Sequence, residues 1–328
     1  WESYRDVRRL GRKSRLNEVK RRLLWECFEQ VMDELDAQEL ITDHQLFHRT
    51  ADQLRLTGTQ PYQHIVVDEC QDITTAQLRL LAAVAGTGPN ALFFAGDLGQ
   101  RIFQQPFSWA QYGIDIRGRS RTLRINYRTS QQIRKQADQL LDPESHDVDG
   151  NVQDRRGAVS VINGPDPAIH ECDSHGSEIE SVAEWIQNRV AEGLIAKEFG
   201  VFVRSSKELP RAKAALEKAG LPYEQLKPSA VRLGHKATLS TMHLAKGLEF
   251  RAVVVMACDE DIIPNANRIK ALTDGSDLEE VIATERHLLY VACTRARDHL
   301  LITSGETCSE FVEDLLLTST LSSENSAR

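Results

Sequence analysis

Two short apolar runs, each ending in acid, constrain this chain most. His64-Ile65-Val66-Val67 leads straight into Asp68-Glu69, and Ala91-Leu92-Phe93-Phe94-Ala95 leads into Gly96-Asp97. Between them lies a helical stretch from Thr74 to Ala85, closed by Gly86, Gly88 and Pro89. Apolar runs of this length read as buried strands. Strand, helix, strand, with polar residues at the strand tips, is the signature of an α/β sheet, and such folds place ligands at those ends. The acids therefore stand where chemistry is expected.

The same grammar recurs downstream. Residues 122–126 (TLRIN) form a strand tip, and a helix begins after Thr129-Ser130. A strand at 158–162 precedes a helix whose Ile179, Val182, Ala183, Ile186 and Val190 make one apolar stripe, ended by Gly193. Phe199 to Val203 is a strand, 207–219 a helix capped by Gly220, and Ala237–Thr241 and Ala252–Met256 are strands flanking a Lys-Gly turn. Residues 259–280 are acidic and read as loop. A helix over 280–293 leads into Arg295 and Arg297, and His299 to Ile302 is the last strand. Upstream, Leu16 to Leu40 is helical, and the polar stretch 142–157 is a surface loop or insertion site. The predicted organisation is two α/β units: 1–118 with a helical lead-in, 119–317, and a frayed tail at 318–328.

Composition agrees with two soluble domains. The 328 residues are 41% hydrophobic and 27% charged, enough for a sizeable core and too apolar for wholesale disorder. The net charge of −8 argues against indiscriminate attachment to nucleic acid. It leaves room for a local cationic track. Residues 1–22 carry nine Lys or Arg, and this segment either faces a phosphate backbone or is the solvated side of a helix. No apolar run reaches the length of a membrane span, and no membrane partner is expected. The six cysteines are irregularly spaced without a C-x-x-C, which fits unpaired thiols in a reducing cytoplasm.

Several residues suit phosphate chemistry. Asp68, at a strand tip, can hold Mg²⁺, and its neighbour Glu69 can orient or deprotonate a water. Gln100 follows Gly96-Asp97, and its amide can sense a phosphoryl oxygen. Arg128 and Arg295 carry guanidinium groups suited to phosphate oxygens. Taken singly, an acid pair in a turn or an arginine near a strand end is equally an ordinary surface feature. Thr241 and His243 can meet a nucleic-acid backbone, and Glu249 a ribose hydroxyl. Phe107 and Trp109 lie in a loop-like stretch, where a ring either stacks on a base or closes over its own domain. Tyr127, beside Arg128, can stack on adenine.

Their order along the chain is more informative. VVDECQD, FFAGDLGQRIF, LRINYRTS, TLSTMHLAKGLEF and ERHLLYVACTRAR resemble, in sequence order, motifs of the superfamily 1 DNA helicases of the UvrD/Rep type. The resemblance covers 60–302. It implies an α/β protein of two RecA-like P-loop NTPase domains with ATP between them, coupling hydrolysis to movement on single-stranded DNA or single/double-strand junctions. It assigns Mg²⁺ to Asp68, water activation to Glu69, γ-phosphate coupling to Gln100 and phosphate contact to Arg128 and Arg295. Tyr127 would then stack on adenine, Gly247 and Glu249 would belong to the nucleotide-binding set, and Thr241 and His243 to the DNA-facing motif.

Two departures stand out. No G-x-x-x-x-G-K-[ST] occurs in the 328 residues, so the phosphate loop is missing. Since that loop precedes the acidic strand in the family and the chain begins at Trp1, a first domain truncated at its N-terminus is expected. The alternatives are a degenerate DNA-binding or regulatory module, or a segment of a helicase–nuclease. Also, residues 129–240 alone separate Arg128 from Thr241, leaving no room for the large helical insertion of bigger relatives. The 328-residue polypeptide by itself is expected to hydrolyse ATP negligibly. Phosphate release stimulated by single-stranded DNA and lost on Glu69→Gln would overturn that expectation.

Overall fold

The computed structural model describes residues 1–6, 16–97, 100, 107–142, 144–146, 149–150, 152–154, 157–227, 234–270, 272 and 275–316. The predicted tail at 318–328 and the basic residues Arg8, Arg9, Arg12, Lys13 and Arg15 lie outside these. The chain divides into two compact units, Trp1–Arg121 with Ser145–Gln153, and Thr122–Glu144 with Asp154–Arg328.

The first unit begins with three helices, α1 (Glu2–Asp6), α2 (Glu18–Ala37) and α3 (Asp43–Thr57). Thr42 starts α3 with a capping box closed by Gln45, a further helix within the helical lead-in. Strand β1 (Ile65–Val67), helix α4 (Thr75–Val84) and strand β2 (Leu92–Phe94) follow, with β1 and β2 paired in parallel, Val66 opposite Phe93. Helix α4 packs on α3, burying Ala51, Ala76 and Leu78, and Arg79 reaches back to Asp52 and His48. Both strands were expected to be buried. Instead Val66 and Phe93 are 73% and 61% exposed, because no described element of this unit covers the face they share.

The second unit opens with β3 (Ile125–Asn126) and α5 (Gln131–Ala137), the latter capped by Ser130. Next come β4 (Glu144–His146) and β5 (Val152–Asp154), which pair with each other within the stretch read as a loop. Most of that pair falls with the first unit. Strand β6 (Val159–Ser160) pairs in parallel with β3. The rest of the chain builds one sheet: β7 (Ala168–Glu171), α6 (His175–Ala191), β8 (Phe199–Val203), α7 (Leu209–Ala219), β9 (Tyr223–Gln225), β10 (Ala237–Thr241), β11 (Phe250–Met256), α8 (Ala266–Lys270), α9 (Gly275–Cys293) and β12 (Ala296–Ser304). Its six strands run in the order β7-β12-β11-β8-β10-β9, every neighbour parallel.

A fully parallel sheet needs cover on both faces. Here Val201, Val203, Leu239, Val254, Met256 and Leu301 form one buried layer with Val182 and Ile186 of α6 and Leu216 of α7. The alternate residues Phe202, Val253, Val255, Leu300 and Ile302 are buried too, and α5 and α9 pack against β12. The acidic 259–280 region is not wholly loop: α8 lies within it and α9 starts at Gly275. Asp259, which helped make it look solvated, is buried and bonded to Arg211 at 2.8 Å and to the Gly305 N–H at 2.7 Å. Among the described residues no helix is long and apolar enough to cross a membrane.

Leu239, fully buried in the central layer, is the sharpest probe of this core. Leu239→Ala should cost about 2–5 kcal/mol, read as a lowered urea midpoint in equilibrium unfolding. An unchanged midpoint would mean that the layer is not the stabilising core.

Candidate functional site

In the first unit the site is built where two parallel strands end. Beyond β1, Asp68 Oδ1 accepts the Glu69 N–H at 2.8 Å. Glu69 sits at φ 51°, a left-handed conformation uncommon for a residue with a side chain. That turn starts a short 3₁₀ segment, Cys70–Asp72. The backbones of the two tips are joined by Ala95 N–H to Val67 O (2.8 Å) and Cys70 N–H to Ala95 O (2.9 Å). Gln71, 2% exposed, links the Glu69 side chain to the Asp97 backbone: its amide nitrogen donates to Glu69 Oε2, and its oxygen accepts the Asp97 N–H at 3.0 Å. Gln71 was read only as part of a motif, and its role in tying Glu69 to Asp97 depends on a contact between residues 26 apart. Gly96 is required there, since a Cβ would overlap Gln71 Oε1 and lie 2.7 Å from Cys70 Sγ. Burial pushes the Cys70 thiol up to about 11, making it a protonated packing group. Gln100 is half-buried, its amide donating to Asp97 Oδ2 at 3.2 Å.

Trp109 packs inside the first unit. It is 8% exposed, its ring 4.7 Å from Phe94 and 4.9 Å from the half-buried Phe107. Asp149, from the polar stretch, accepts the Trp109 N–H at 2.6 Å and the Ser108 hydroxyl at 2.5 Å. The indole therefore closes over its own unit and offers no open face to a base.

In the second unit Asn126 ends β3, and its side-chain oxygen accepts the N–H groups of Arg128 (2.7 Å) and Thr129 (3.1 Å). This turn leaves Tyr127 70% exposed. It also brings Arg128 to Glu249, Nε to Oε2 at 2.9 Å, although the two are far apart in sequence. Glu249 is placed by the segment after β10, where Thr241 leads into a 3₁₀ turn over Met242–Leu244. Gly247 then takes φ 76°, which glycine adopts without strain. The Arg128–Glu249 pair is half-exposed, so its own stabilisation is small. Its importance is that residues read as phosphate- and ribose-facing share one place.

Thr241 and His243 are both half-buried. Burial, followed by the charge of Arg204, lowers the His243 pKa and favours the neutral ring. Arg295 is not presented to solvent. It is 2% exposed, donating from Nε to Val291 O (2.9 Å), from Nη1 to Leu248 O (3.4 Å) and from Nη2 to Thr294 Oγ1 (3.3 Å). Another group escaped the sequence reading: Glu285 of α9, fully buried, faces Arg204 and Arg268. Its only sequence signal was an arginine placed directly after the apolar strand FGVFV.

Asp68 and Glu69, with Asp97 and Gln100, stand just beyond the carboxyl ends of the parallel strands β1 and β2, the edge at which α/β proteins bind ligands. Comparison with known families makes this specific. The UvrD/REP helicase N-terminal domain matches residues 7–111, and the UvrD-like helicase C-terminal domain matches 216–307. The chain belongs to the UvrD/Rep-type superfamily 1 helicases. It is 28% identical over 261 residues to a probable DNA helicase of Mycoplasma pneumoniae, covering 75% of this chain and 44% of that one. It is 27% identical over 271 residues to DNA helicase IV of Escherichia coli, with coverage of 78% and 36%. A 70-residue stretch is 46% identical to the ATP-dependent DNA helicase PcrA of Staphylococcus epidermidis, 21% of this chain and 9% of that one. The chain thus spans less than half the length of each of these relatives.

The tight junction at Gly96 generates a test. Gly96→Ala should destabilise the protein by about 1–3 kcal/mol in urea unfolding, because Gln71 or Cys70 must move. An unaltered midpoint would show that the two strand tips are not packed as described.

Proposed function

We propose that this chain is part of an ATP-dependent DNA helicase or translocase acting on single-stranded DNA or single/double-strand junctions, its two units serving as RecA-like domains. What carries this reading is the contact between Arg128 and Glu249. Two motifs far apart in sequence, one read as phosphate-facing and one as ribose-facing, converge within 2.9 Å. A nucleotide would exchange this modest pair for its own phosphate and hydroxyl groups. Tyr127, exposed beside Arg128, offers a face for adenine.

The acidic tip fits a nucleotide-borne Mg²⁺. Among the described residues no group of three acidic, His or Cys side chains could hold a metal by itself. A cation at Asp68 would draw its other ligands from phosphate and water, the usual arrangement for Mg²⁺ in ATPases. Bound there, the ion would neutralise phosphate charge. Glu69, fixed by Gln71, would orient and deprotonate water. Gln100, anchored on Asp97, would sense the γ-phosphate. Arg128 supplies the accessible cation, while Arg295 reaches a phosphate only by exchanging its bonds to Leu248 O and Thr294 Oγ1. Thr241 and His243 face DNA.

In the full-length protein, ATP turnover should rise with single-stranded DNA. Glu69→Gln and Arg128→Ala should each lower kcat by about 10²-fold or more without lowering the thermal midpoint. Wild-type rates in either variant would refute its role. A full-length protein that binds single-stranded DNA without any turnover would point instead to a regulatory module with a helicase fold.

A further inference from the structure

The carboxyl edge of the six-stranded sheet holds a cluster of charge that the nucleotide-facing residues do not use. Arg204 follows β8 directly, and the pairing of Val203 with Thr241 sets it beside the turn that carries His243. Arg204 is 4% exposed and donates through Nε and Nη2 to the two oxygens of Glu285, each at 2.5 Å. The Asn265 N–H adds a bond to Glu285 Oε2 at 3.3 Å, and Arg268 of α8 donates from Nη1 to Oε1 at 2.8 Å. One carboxylate thus faces two guanidinium groups, and the trio carries a surplus positive charge.

The two arginines are not equivalent. Arg204 is buried and engaged by both edges of the carboxylate, so its charge is matched. Arg268 has a side chain 41% exposed, and among the described residues its fork makes one hydrogen bond. Its Nε and Nη2 hydrogens stay uncommitted there, while Glu285 holds the side chain in place. Lys270, exposed on the same short helix, adds positive charge. An anchored, half-exposed guanidinium with uncommitted donors suits a phosphodiester oxygen, which it can grip in two places. His243, the residue read as DNA-facing, lies within the field of Arg204, Glu285 and Arg268.

The geometry points to Arg268, seated on Glu285, as a backbone-phosphate contact for single-stranded DNA beside His243. This rests on the helicase reading above. Arg268 therefore positions the strand without reading its sequence, and Glu285 acts through Arg268 as a positioning residue.

The test is binding of a fluorescent oligo-dT to the full-length protein across a range of salt concentrations, for wild type, Arg268→Gln and Arg268→Lys. Arg204 still satisfies Glu285 in both variants, so both should fold. Arg268→Gln should weaken binding about 3–10-fold and lower the slope of log K against log salt by about 0.7, the loss of one phosphate contact to a single strand. Arg268→Lys, which keeps the charge, should retain most of the slope. The KM for ATP should stay unchanged in both. A wild-type slope in Arg268→Gln overturns the proposal, as does a raised KM for ATP with unaltered DNA binding, which would put the nucleotide's phosphate on Arg268. Wild-type protein that binds no single-stranded DNA overturns the helicase reading and this proposal with it.

Discussion

The parallel ladder of β8, β10, β11 and β12 is the constraint on which the second unit depends. Parallel strands cannot be joined by tight turns, so every connection must cross over a face and return to the same end. The crossovers α6, α7 and α9 pack against the sheet and bury an unbroken apolar core. The same geometry forces the loops after each strand onto one edge. Arg204, Thr241, His243 and the 259–265 loop all follow the carboxyl ends of strands, which is why residues so distant in sequence become neighbours.

Charge in the second unit is handled in two ways. Buried groups are fully paired. Glu285 takes two arginines and a backbone N–H, and Glu178 takes Arg211, the Thr303 hydroxyl and the Ala257 N–H. Leaving one member of such a network unpaired typically costs about 3–5 kcal/mol, so these networks pin α6, α9 and the strand ends to one another. Exposed groups are paired lightly. Arg128 and Glu249 stand half in solvent, where an ion pair is worth little and can be exchanged for a ligand.

Much of this was legible before any coordinates. The strand Phe199–Val203 ends where its apolar run ends, at Arg204, and Ala237–Thr241 also forms a strand as expected. Helix α7 stops at Gly220, which takes the left-handed φ of 70° that ends a helix without strain. Short or polar elements were less visible. Strands β7 and β9 are the sheet's edges, where one side of the ladder is open and the apolar signal is diluted by His170, Glu171 and Glu224. Helix α3 mixes its apolar residues with charge, and only its capping box marks its start.

The sequence by itself determined the fold class, the order of the strand-tip motifs and the candidate residues Asp68, Glu69, Gln100, Arg128 and Glu249, since local patterning and motif order are written along the chain. Tertiary structure alone decided which of these meet, and which side chains are hidden. It closed Trp109 against Phe94 and drew Asp149 onto Trp109. It buried Arg295 and placed two guanidinium groups around Glu285. The physical reason is that burial and pairing depend on contacts between residues tens to more than a hundred positions apart. No local periodicity encodes them.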